Sequence, residues 1–166
     1  MTTSTRAAEL AAEFEAAQDE FMALLESLTD DQWRAKGTNY PTQMNNEDEG
    51  RSVAVIAHHV ASTGPFTMGR IQDTLAGRTL TPVNITQMNA DHARENQDCS
   101  RNEVLSLLRE SKPKIADAIR AITDDRLDQA MPTPTGGQMT IAFRIQAILT
   151  GHIKMHQGSI EQAIGR

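Results

Sequence analysis

Residues 140–164 read TIAFRIQAILTGHIKMHQGSIEQAI, and their spacing decides the architecture. Ile141, Ile145, Ile148, Leu149, His152, His156 and Ile160 recur at three- and four-residue steps, which is the period of a helix face and not of a strand. Thr140 supplies an N-cap hydroxyl, so the spacing predicts a helix from there to about Ile164. Working back along the chain, the same period appears three more times. Leu10, Phe14, Ala17, Phe21, Leu24, Leu25 and Leu28 form one face of a first helix that Thr3 or Ser4 can cap. Thr29 to Trp33 reads as a stop followed by a short helical turn. Ser52 opens a second helix with Val53, Val55, Ile56, His59, Val60, Phe66 and Ile71 on or near its buried side. Pro65 falls inside that pattern and predicts a kink, and Gly77 predicts the end. Ser100 with Glu103 is a capping box for a third helix through Val104, Leu105, Leu107, Leu108, Ile115, Ile119 and Ile122, with a bend expected at Pro113.

Four long amphipathic helices with no period-two segment imply an all-α, four-helix bundle in a single domain spanning 1–166. Residues 36–50 read as a loop, 86–97 as a short polar helix, and 131–138 (MPTPTGGQ) as a linker. The connections after helices one and two, about residues 29–51 and 77–99, are long for a bundle. Such segments often serve as walls or a lid at one end.

Composition removes several classes of function. The formal net charge is −6, with eleven acids and three bases in residues 1–50 against eleven acids and thirteen bases in residues 51–166. Neither part holds a dense basic patch with interleaved aromatics, so no nucleic-acid partner is expected. No apolar run approaches the roughly 18 residues of a membrane span, and the N-terminal stretch carries acids where a signal peptide needs an apolar core. The lone cysteine, Cys99, can form no internal disulfide, and a cytoplasmic setting is the simplest expectation. GxSxG, Walker A and GxGxxG are all absent. Cys99, just ahead of the capping box with no activating neighbour in sequence, reads as a passive loop residue.

The histidines carry what chemistry remains. Of five in the chain, His152 and His156 form an HxxxH pair on the inward stripe of the fourth helix, where imidazoles four apart can meet one ion. Such a pair arises by chance in roughly one chain in eight of this composition. His59 follows Val55 and Ile56 on the buried face of helix two. His58 is turned by about 100° onto the line of Arg51, Ala54 and Ser62. Three inward imidazoles make a three-ligand metal site with open positions, or else three hydrogen-bonded core residues. His58 is expected at the helix edge and His92 in solvent. The segment is not HExxH, and no Glu precedes a His by three residues, so zincin and di-iron patterns are missing. Arg70, eleven residues after His59, reads either as a surface charge or as a group that binds a carboxylate.

The ordered set LTDDQW, SVAVIAHHV and GHIKMHQGSIEQAI resembles the DinB superfamily over nearly the whole chain. That resemblance implies a four-helix bundle holding a divalent ion on three histidines, which by position are His59, His152 and His156. Zinc or nickel comes first, with iron, manganese or copper as alternatives. It further implies a metal-dependent enzyme, most concretely a transferase acting on a low-molecular-weight thiol and a small electrophile. Hydrolysis by activated water and a non-catalytic metal-binding or dimerisation bundle are the alternatives. Related bundles pair, which implies a homodimer, although no interface stripe is visible in the sequence.

Overall fold

The computed structural model describes residues 4–38, 47–134 and 136–166. The order is α1 (Thr5–Ser27), α2 (Asp30–Arg34), a 3-10 turn (Glu47–Gly50), α3 (Val53–Leu75), α4 (Ile85–Glu95), α5 (Arg101–Arg120) and α6 (Asp124–Leu127). A hairpin of β1 (Ala130–Pro132) and β2 (Gln138–Thr140) follows, and the chain ends in α7 (Ile141–Arg144), a π-helix (Ile145–Gly151) and α8 (His152–Ala163). The four expected long helices are therefore α1, α3, α5 and the run from α7 to α8. α1 packs along α5, α5 along α3, and the fourth helix closes against α1 and α3.

Capping chemistry sets the boundaries as the sequence predicts. Ser4, Ser52, Ser100 and Thr140 each accept from the backbone N–H three residues on. Thr29 and Gln32 form a reciprocal box around α2. Gly77 takes φ +71° and closes α3, its N–H reaching the Thr74 carbonyl while that of Arg78 reaches Asp73. Both Pro65 and Pro113 lie inside continuous helices. Thr3 and most of the loop expected at 36–50 lie outside the described residues.

Phe14, Phe21 and Leu25 of α1, Ile56 and Ile71 of α3, Leu108 and Ile119 of α5, and Ile141, Ile145 and Leu149 of the fourth helix are fully buried. Each such side chain contributes about 1.5–3 kcal/mol by leaving water. Gln18, also buried, donates from Nε2 to the Leu108 carbonyl at 2.7 Å and fixes α1 against α5. The surface ion pairs along that seam, such as Arg109–Glu26 and Lys112–Asp19, add little. Trp33 donates to the Cys99 carbonyl at 3.2 Å, tying the turn after α1 to the start of α5.

Residues 131–138 are not a linker. Met131 pairs with Met139 in the antiparallel hairpin, and Met131 is fully buried. Three residue pairs are too few for a period-two pattern to register in sequence. The fourth helix also departs from a uniform α pitch. Seven residues wind as a π-helix immediately before His152, a wider turn that resets the helical phase.

Candidate metal centre

His59 lies two turns into α3, and His152 is the first residue of α8 with His156 one turn beyond. The Nε2 atoms of His59 and His152 are 3.2 Å apart, and those of His152 and His156 are 3.0 Å apart. One ring nitrogen from each of the three lies within 4.8 Å of the other two. Around a tetrahedral ion with bonds of 2.0–2.1 Å, neighbouring donors sit about 3.3 Å apart. The observed spacing nearly matches that edge. Hydrogen bonding among the rings does not explain it as well, since a single proton on His152 Nε2 would have two nitrogens to serve.

Asp48 settles the proton on the third ring. Its carboxylate is fully buried and Oδ2 accepts from His156 Nδ1 at 2.7 Å. A proton held on Nδ1 leaves the His156 Nε2 lone pair facing the other two rings. That is how a carboxylate orients a metal-binding histidine. Arg51, also buried, lies 3.7 Å from Asp48. Burial, the neighbouring imidazoles and the Arg51 charge together hold His59 well below the usual histidine range. Burial, His156, Arg51 and Arg144 do the same to His152. Both rings are therefore neutral near pH 7, the form in which a histidine donates to a metal.

Backbone contacts bring Asp48 to the histidines. Gly37 donates to the Arg51 carbonyl at 2.7 Å, Val53 donates to that of Ala35, and Lys36 bridges Ser52. A Cβ at position 37 would lie 2.3 Å from the Asp48 carbonyl oxygen and 2.5 Å from Ile56 Cδ1. Gly37→Ala should therefore push the 48–51 segment off α3, costing about 1–3 kcal/mol of stability. Its zinc affinity should fall about tenfold as Asp48 loses His156. Urea unfolding and a competitive zinc titration on the same preparation check both effects, and wild-type values in both would refute this account of the segment.

His58 turns away from the three-histidine cluster, as helical phase predicts. It is buried, however, and not at an open edge. Its Nδ1 lies 2.8 Å from His92 Nε2 and 3.3 Å from Ser62 Oγ. His92 is not in solvent. It is partly buried, its ring stands 5.6 Å from that of His59, and burial with the His58 and Arg51 charges pushes it down to about 4. It lines an open groove of about 460 Å³ along α4, with Asn84, Gln87, Met88, Asp91, Glu95 and Asn96. The reading of His92 failed because the helix around it is polar, and polarity along α4 reports a wall of the groove as much as a free surface. Cys99 is half-buried and donates to the Ala54 carbonyl. Burial and Glu103 push its thiol up to about 11, so it is no nucleophile at neutral pH.

The same bundle occurs in solved structures. YfiT from Bacillus subtilis, described as a "probable metal-dependent hydrolase with an unusual four-helix bundle topology", matches with a TM-score of 0.75 at 18% identity, covering 99% of this chain and 91% of that one. A mutant of the mycothiol-dependent maleylpyruvate isomerase matches at 0.74 and 11% identity over 96% of this chain but only 63% of that one. The colibactin self-resistance protein ClbS, solved with double-stranded DNA, matches at 0.70 and 17% identity over 99% and 97%. Identities this low establish the fold alone. The ClbS complex means that this fold does not exclude nucleic acid, and the expectation against it rests on charge only. No helix among the described residues is long and apolar enough to cross a membrane. No curated protein matches the chain in sequence. A profile of the DinB superfamily matches residues 5–160, which include all three clustered histidines, and the chain belongs to that superfamily.

Proposed function

We propose that this protein is a metal-dependent enzyme in which His59, His152 and His156 hold a divalent ion, and that it transfers a low-molecular-weight thiol to a small electrophile. The Nε2 of His152, 3.2 Å from that of His59 and 3.0 Å from that of His156, with Asp48 holding the proton of His156 on the far nitrogen, carries this reading. A divalent ion there supplies Lewis acidity, lowering the pKa of a thiol or water that binds it. The chain's own residues do the rest. His59 and His152 stay neutral, Asp48 orients the third ring, and His92, which lines the groove along α4, stands 5.6 Å from the ring of His59. With Cys99 protonated and bonded to the backbone, the sulfur must come from a separate molecule. The likeness to a mycothiol-dependent enzyme supports a thiol, and the likeness to YfiT supports water as the alternative.

The test combines metal analysis with turnover. Mass spectrometry of untagged protein should find near-stoichiometric zinc or nickel. The loaded protein should consume glutathione, mycothiol or bacillithiol when given a halogenated aromatic or an epoxide. Turnover of ester probes without thiol would instead select the hydrolase reading. Metal without any turnover would select the binding bundle. Little metal even after reconstitution would end the enzyme reading.

A further inference from the structure

Arg144, the last residue of α7, is only 6% exposed, yet among the described residues no carboxylate or other acceptor meets its guanidinium. Its Nε is sealed from solvent without a partner. Buried arginines are ordinarily paired, because an isolated buried charge is among the most costly groups a fold can carry. Thr67 of α3 repeats the pattern. It is 1% exposed, and its Oγ1 is sealed without a partner. The other hydroxyls of α3, on Ser62, Thr63 and Thr74, each donate to the carbonyl four residues back. Arg70, one turn beyond Thr67, is held in place by a bond to the Thr81 carbonyl and by the Phe66 ring, and no carboxylate among the described residues pairs with it.

These three groups belong to one seam. His59 of α3 meets His152, and at the far end of α3 Gln129 donates to the Thr74 carbonyl while its own carbonyl accepts from the Ile141 N–H at the start of the fourth helix. The two helices therefore run antiparallel, and Thr67, eight residues after His59, lies at the level of Arg144. Arg144 and His152 flank the π-helix. Eight residues of helix separate the two, roughly 10 Å along the axis.

We propose that Arg144, with Arg70 and Thr67, is a subsite for an anionic oxygen group, a carboxylate or a phosphate, on a small molecule whose other end reaches His59, His152 and His156. The substrate class is thus an elongated anion, its charged group several bonds from the reacting atom. A guanidinium fork and a hydroxyl suit such a group, and the second guanidinium adds charge without a competing internal carboxylate. The link to the histidines rests on the function proposed above, but anion binding itself does not.

The test is a titration of the purified full chain with inorganic phosphate and, separately, with acetate, followed by amide chemical shifts at constant ionic strength in chloride. At least one of the two should saturate at millimolar concentration, and the preferred one identifies the group. Arg144→Gln should weaken binding about tenfold or more, and Arg70→Gln or Thr67→Val severalfold. His59→Ala should bind as wild type does, so a failed metal or thiol experiment leaves this result standing, and the reverse also holds. If Arg144→Gln does not fold, Arg144→Lys keeps a positive charge but loses the fork and should still bind severalfold more weakly. Absence of saturable binding in wild type, or wild-type affinity in every Arg144 variant that folds, would overturn the proposal.

Discussion

His152→Ala is expected to weaken zinc binding by about 10²–10³-fold. Structural zinc sites in small domains bind with apparent free energies of about 10–16 kcal/mol over four ligands, or about 2.5–4 kcal/mol each. At 1.4 kcal/mol per tenfold, loss of one ligand removes two to three decades. His152 is the informative choice because its Nε2 is the one close to both of the others, at 3.2 Å and 3.0 Å. It is also less buried than His156, so truncation opens a smaller hole in the core. The readout is thermal unfolding with and without zinc. A ligand at one hundred times its Kd stabilises by about 2.7 kcal/mol. Wild type should therefore show a clear rise in Tm and His152→Ala almost none. His92→Ala is the matched control: its Nε2 faces His58, so zinc affinity should stay within about threefold of wild type. Equal zinc-induced shifts in wild type and His152→Ala would mean that these histidines are core residues.

Helical faces and caps are local, and Ser52, Ser100 and Thr140 each perform the capping that their spacing implies. That His59, His152 and His156 lie together was legible for the same reason. Two lie four apart on one face, and the third follows Val55 and Ile56 onto the buried side of its own helix. What periodicity cannot supply is any contact made by an irregular segment. Asp48 stands in an acidic run, Glu47-Asp48-Glu49, where nothing local distinguishes the residue that turns inward. The available hint is Arg51 three residues on, a partner that a buried carboxylate can use. His92 was misplaced because a polar helix was equated with an exposed one.

Arg144 escaped for a different reason. A uniform α pitch places Ile141, Ile145, Leu149 and His152 on one stripe with Arg144 at its edge, three residues after Ile141, where an arginine ordinarily reaches solvent. The π-helix at Ile145–Gly151 winds more residues per turn, and the observed inward set includes Arg144 and Thr150 beside those apolar residues. A Cβ at Gly151 would lie 3.2 Å from the Gln146 carbonyl, so the small residue there suits the wide turn. The irregularity falls between a buried, unpartnered guanidinium and the first clustered histidine. Phase arithmetic carried through from Thr140 still brings His152 and His156 inward; it does not give the burial of Arg144 and Thr150, and the sequence offers no independent marker of a π turn.

The carboxylate behind the histidines should have the second largest effect, and two substitutions separate its charge from its hydrogen bond. Asp48→Asn retains a carbonyl oxygen that can accept from His156 Nδ1, so the ring keeps its tautomer and its direction while the negative charge is lost. Zinc affinity should fall about tenfold. Asp48→Ala removes the acceptor as well. His156, fully buried, is then free to carry its proton on Nε2, the nitrogen that faces His59 and His152, and a protonated nitrogen cannot donate to a metal. The loss should approach 100-fold, the upper end for removal of a partner behind a metal-binding histidine. Competitive titration against a chromophoric chelator at pH 7.5 measures both variants, and the tautomer can be read directly from the ¹⁵N shifts of the His156 ring without metal. Wild type and Asp48→Asn should show the proton on Nδ1, whereas Asp48→Ala should show it shared with Nε2. Two variants with equal affinities would mean that charge alone matters. Wild-type affinity in both would mean that the 2.7 Å contact orients nothing that a metal requires.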